Sequence, residues 1–114
     1  MNQQFQQLKT RELNDRFRTH PLGLGGTVMA TQGIMALGND FLSAAYTAVQ
    51  NFTDFNADND PWGEHDAAMF KVNHTQCYFK IDYHSSTHEG MGSEAPWDDA
   101  VTNRVLTIML VEEI

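Results

Sequence analysis

The hydrophobic pattern changes period several times along the chain, and each change predicts an element. Residues 3–19 are rich in Gln, Lys, Arg, Glu and Leu, all favourable in helices. Phe5, Leu8, Leu13 and Phe17 fall within about half of the helical wheel at ~100° per residue. That face is expected to meet a core, with the basic residues largely on other faces. Thr10 offers a start for a second, shorter helix. His20-Pro21 predicts the stop, because the residue before proline avoids helical dihedrals. The LGLGGT stretch follows a helix and lacks the lysine of a phosphate loop, so it reads as a flexible connector. Residues 27–32 read as a strand that Gly33 stops, with 34–37 as a continuation past a glycine bulge. Gly38-Asn39 offers a helix cap, Asp40 suits the first turn, and Phe41, Ala45, Ala48 and Phe52 recur at helical spacing. An amphipathic helix is predicted over about 40–52.

The second half changes to a period of two. Residues 68–72 and 77–83 predict the arms of a hairpin, with NHTQ as its turn. On the second arm Phe79, Ile81 and Tyr83 share one face, and Tyr78, Lys80, Asp82 and His84 share the other. Residues 105–111 are apolar on both alternating faces except at Thr107, as expected of a strand near the centre of a sheet. Two polar stretches, FNADNDPWGEHD and SSTHEGMGSEAPWDD, read as loops. The expected fold is a single α+β domain spanning residues 1–114. Two or three helices pack on an antiparallel sheet of about four strands with a central hairpin.

Charge changes the functional picture more than the fold. Fifteen acids face seven Lys plus Arg, giving a net charge of -8. Residues 1–20 carry four bases against two acids, a net +2, whereas residues 40–114 carry three bases against thirteen acids, a net -10. Such a body disfavours direct binding of nucleic acid or anionic membrane, which both demand positive surface. The single cysteine, Cys77, excludes an intrachain disulfide and fits a reducing compartment. The amino-terminal segment has no apolar stretch of the signal-peptide kind, and the run 105–111 is too short to span a bilayer. A cytoplasmic protein is expected.

Three polar arrangements carry candidate chemistry. In GEHD, His65 lies between carboxylates that can orient its ring or raise its basicity for acid-base work. The alternative is a loop network in which Asp60 and Asp66 cap backbone amides. In HSSTHE, His84 and His88 are four apart, a zinc spacing on a helix, but Ser85, Ser86, Thr87 and Gly90 argue against a helix there. Third, antiparallel pairing of the hairpin puts 66 opposite about 83, which brings His65 and Asp66 near Asp82 or His84. The catalytic candidates are therefore Glu64, His65, Asp66 and Asp82, and the metal candidates His65, Asp66 and His84, with no cofactor expected. A salt-bridge network with Lys80 would look the same in sequence. Trp62 and Trp97 sit in the two polar loops, beside prolines and acids, where aromatics mark partner contacts or plug a core edge.

RELNDRFR, NDPWGEHD, KIDY, GSEAPWDD and TNRVLTIMLVEE together resemble the bacterial domain-of-unknown-function family numbered 3768, alphaproteobacterial and mobile-element associated. Asn59, Asp60, Pro61, Gly63, Glu64, His65 and Asp66 match its central motif, and Lys80, Ile81, Asp82 and Tyr83 its strand motif. The chain departs from the family at Ala67-Ala68, and at His84, where the family has an aromatic. The resemblance implies a compact cytoplasmic domain and no particular activity. The leading expectation is a non-enzymatic binding or regulatory module, acting against host defence by occupying the basic nucleic-acid groove of a partner protein. Its contacts would be Asp58, Asp60, Trp62, Glu94, Trp97, Asp98 and Asp99. The rivals are a small hydrolase or metal-dependent enzyme centred on GEHD, and a self-associating domain forming a homodimer.

Overall fold

The computed structural model describes residues 2–19 and 21–114, so the stop signal at His20 lies outside the described residues. The chain runs α1 (Gln3–Thr19), β1 (Thr27–Ala30), α2 (Gln32–Met35), α3 (Asn39–Asn51), β2 (Ala67–Val72), β3 (Thr75–Ser85) and β4 (Thr102–Leu110). Single 3-10 turns cover Asp99–Val101 and Val111–Glu113. The helix α1 is continuous through Thr10, whose hydroxyl donates back to the Gln6 carbonyl rather than capping a new helix.

The four strands form one sheet in the order β1-β4-β3-β2. The α+β class and the strand number are as expected, but the sheet is mixed. β1 runs parallel to β4, while β2–β3 and β3–β4 are antiparallel. Sequence periodicity reports which face a residue takes and carries no information on strand direction, so the parallel edge was not predictable from it. β4 lies between β1 and β3, the inner position its apolar run predicted.

Ala68, Phe70 and Val72 of β2, Phe79 and Ile81 of β3, and Leu106 and Ile108 of β4 form one buried cluster. Phe17, Ile34, Ala45 and Val49 close it from the helices. The opposite face carries Met69, Lys71, Tyr78, Lys80, Asp82 and His84, exposed or half-buried. Among the described residues no helix is long and apolar enough to cross a membrane.

Three local expectations are corrected. Residues 31–35 form no bulged strand: the Thr31 hydroxyl accepts the Ile34 amide and starts α2, so the strand ends at Ala30. The hairpin turn is two residues, not four. Asn73 and His74 take φ of 49° and 71°, the paired left-handed geometry that matches strand twist. Phe5 and Leu8 stay 53% and 49% exposed, so only the second half of α1 meets the core.

Candidate functional site

The helix α1 presents two stripes, and the polar one organises the molecule. Leu13 and Phe17 enter the core, while Arg11, Asn14, Asp15 and Arg18 follow each other at steps of three, one and three along an adjacent stripe. That stripe reads the loop carrying GEHD. Arg11 Nε donates to the Gly63 carbonyl at 2.5 Å, and Asn14 Nδ2 donates to the Glu64 carbonyl at 3.0 Å. His65 Nδ1 lies 3.0 Å from both oxygens of Asp15. Arg18, 3% exposed, donates to the Val49 and Phe52 carbonyls at the end of α3 and to Asp15.

The loop is also braced from within. Asn56 Oδ1 accepts the amides of Asp58 and Asn59, and Asn59 Nδ2 donates to the Asp54 carbonyl. Asp60 is buried and accepts the amides of Glu64 and His65. Its Oδ2 lies 3.6 Å from His65 Nε2. The His65 ring stacks on Phe55 at 4.0 Å and 5°. Both ring nitrogens thus face carboxylates of the protein itself, and Phe55 covers a ring face. His65 holds φ at 56° and Gly63 at 68°. A Cβ at Gly63 would stand 2.6 Å from the Arg11 guanidinium, so this turn admits glycine.

Asn14 links this loop to the other tryptophan loop. Its Nδ2 also donates to Tyr83 Oη at 2.8 Å, and its Oδ1 accepts from Arg104 Nε at 2.7 Å. Tyr83 donates to Glu64 Oε1 at 2.6 Å. Burial, and then the bond to Glu64, hold the Tyr83 phenol far above its usual range, so it stays a donor. Arg104, 3% exposed, donates to Asp99 at 2.8 Å and to the Pro96 carbonyl. Burial lowers the Arg104 pKa, and the adjacent Asp99 carboxylate opposes that shift. Thr102 adds a bond to the Ala95 carbonyl at 2.8 Å. One continuous network therefore anchors the residues next to Trp62 and the residues next to Trp97.

The consequence is a groove of about 280 Å³. Gln3, Gln6, Gln7 and Thr10 of α1 form one wall, and Trp62, Glu64, Pro96 and Trp97 form the other. Trp62 is 67% exposed and Trp97 half-buried. A second cleft, about 460 Å³, is lined by Asp15, Arg18, Phe52, Phe55 and His65 among others.

The candidates from sequence separate. Glu64 lines the tryptophan groove and His65 a separate cleft. The short turn moves the hairpin register by two residues: Asp66 accepts the amide of Ile81, not of residue 83. Asp82 pairs with Lys80 at 3.0 Å on the outer sheet face, whereas His65 stacks on Phe55, which packs against inward-facing Phe79. The sheet thus lies between Asp82 and His65, and the four-residue catalytic cluster does not assemble. Asp66 feels Asp82 only as a charge. Its carboxyl is raised above the ordinary 3.8 by burial first, then by Glu64. His84 is exposed and pairs with Asn103 in the ladder, and His88 bonds Thr87 in an exposed loop. Among the described residues no group of three or more His, Cys, Asp or Glu side chains is placed to hold a metal ion.

The expected contact acids divide as well. Asp60 is buried, and Asp99 bridges Arg16 at 2.6 Å and Arg104 at 2.8 Å. Asp60 is an interior anchor, and Asp99 is an exposed one. Asp58, Glu94 and Asp98 are exposed with no ion pair among the described residues. The arginines of α1 are likewise engaged within the chain: Arg11 and Arg18 donate to backbone carbonyls, and exposed Arg16 donates to Asp99. Sequence reasoning missed Asn14, Asp15, Arg18 and Arg104 as site-forming residues. The helical spacing of the first three was the available signal.

This is an α+β domain with a mixed four-stranded sheet, helices on one face, and two aromatic loops tied to α1 by a buried polar network. It belongs to the family described as Protein of unknown function (DUF3768), whose model matches residues 30–113. The matched span begins after RELNDRFR, so that segment's likeness to the family lies outside it. No curated protein and no solved structure matches the chain.

Proposed function

We propose that the protein is a non-enzymatic binding module for a partner protein, with the Trp62/Trp97 groove as its contact surface. One observation carries this reading: two tryptophans from separate loops line one groove, and a single buried network positions both. Aromatic side chains give large contact area at low entropy cost and dominate binding energetics. Asp98, exposed and with no ion pair among the described residues, follows Trp97 in sequence and favours a basic partner segment.

The hydrolase reading finds less support. A general base needs a ring nitrogen within reach of a substrate proton, and both nitrogens of His65 are turned to carboxylates of the fold. GEHD acts in this account as a lock.

Site-specific photo-crosslinking in the cells that encode the protein tests the proposal. A benzophenone side chain at position 62 should yield a discrete adduct with a second protein. The same group at the exposed Met69, on the outer sheet face, should not. Equal adducts from 62 and 69, or none from 62, would contradict the reading.

A further inference from the structure

The geometry points to the class of segment the groove accepts: a basic, proline-rich stretch in the polyproline II conformation. This inference rests on the binding-module reading above. The groove has three features that separate it from other peptide sites. First, it is walled by a helix and two loops, so it offers no strand edge for an added β-strand. Second, it is short and half polar. An amphipathic helix needs a continuous apolar trough, and here one whole wall is glutamine and threonine. Third, Trp62 and Trp97 face a ladder of side-chain amides, with Gln3 and Gln7 one helical turn apart.

That pairing of indoles with amide donors suits polyproline II. Such a helix makes no internal hydrogen bonds and leaves its carbonyls free for side-chain donors, while its rings fit between aromatic planes. Its conformation is formed before binding, so little ordering entropy opposes association. The charge at the rim selects basic residues within it. Glu64 lines the groove with no ion pair among the described residues, the exposed Asp98 follows Trp97, and the neighbouring guanidiniums of Arg11 and Arg104 are bound to the Gly63 and Pro96 carbonyls.

The chain contains two tryptophans and both line the groove, so intrinsic fluorescence reports its occupancy. The probes are a synthetic peptide of arginine and proline only, and the same peptide with each proline replaced by glycine. The proline peptide should give a saturable emission change at least tenfold tighter than the glycine peptide. Trp62→Ala should weaken it at least tenfold while keeping the thermal transition, since Trp62 is mostly exposed. Trp62→Phe should restore most of the affinity. Equal binding of the two peptides would overturn the inference, because charge alone would then explain it. No response to either peptide would also overturn it. An adduct at position 62 together with silent peptides would reject the polyproline assignment and leave the binding-module reading standing. Absence of both would reject the two together.

Discussion

Replacing Asn14 by leucine should remove about 4 kcal/mol of stability, because this fully buried side chain joins both tryptophan loops. It donates to the Glu64 carbonyl and to Tyr83 Oη and accepts from Arg104 Nε. Each neutral hydrogen bond contributes roughly 1 kcal/mol net, and one to a charged group about 1.5–3 kcal/mol. Leucine keeps the branched shape and is somewhat larger, so no cavity enters the sum, but it leaves Arg104 Nε and the Glu64 carbonyl without this partner. A domain of this kind has about 5–15 kcal/mol in total, so the variant should be marginal yet still folded in the cold. At about 4 °C per kcal/mol the Tm should fall by roughly 16 °C. Urea unfolding of wild type and variant, followed by circular dichroism, measures the difference directly. A double-mutant cycle with Arg104→Met should show coupling above about 1 kcal/mol, because both changes break the same bond. A loss below about 1 kcal/mol, or additive effects of the two substitutions, would show that Asn14 is not the joint between the two loops.

Four further outcomes follow from the same geometry. His74→Gly should stabilise the hairpin by about 0.5–1 kcal/mol in thermal unfolding, because His74 holds φ at 71° where glycine carries no strain. Asp66→Asn should raise stability at neutral pH. The raised carboxyl contributes stability below its unfolded value of 3.8 that is lost as pH rises through the higher folded pKa, so the gain should vanish in urea titrations at lower pH. Glu113 runs the other way: bonds from Thr31 and from the Leu110 amide lower its pKa below 4.5. Its contribution is present above 4.5 and lost as pH falls through the folded value, so Glu113→Gln should differ from wild type near neutrality and match it in acid. Cys77 is fully buried and burial raises its thiol pKa, so a disulfide reagent should label it only at the rate of unfolding.

The elements with strong periodicity could be read directly from the residues, and the ones decided by a single backbone angle could not. The spacing of Phe41, Ala45, Ala48 and Phe52 located α3, whose observed span is Asn39–Asn51. The alternation from Cys77 to His84 assigned each face of β3, and the apolar run of β4 placed it inside the sheet. The hairpin register escaped because His74 adopts a left-handed conformation usually taken by Gly or Asn. That two-residue error paired Asp66 near His84 and suggested a catalytic cluster. The groove escaped for a different reason. Its tryptophans were visible as loop aromatics, but their convergence depends on Asn14 and Arg104, ninety residues apart and both polar. A polar stripe on a helix reads as solvated until a partner loop is known to cover it.

On the proposed reading the GEHD segment is a hydrogen-bonded lock rather than a reactive loop, and amide exchange of Glu64 and His65 tests this most directly. Both amides bond to the buried Asp60 carboxylate. They should exchange nearly as slowly as the β4 amides in native conditions, with the Asp58 amide, whose bond to Asn56 Oδ1 is solvent-exposed, as the faster comparison. Exchange of Glu64 and His65 at the Asp58 rate while β4 stays protected would contradict the account.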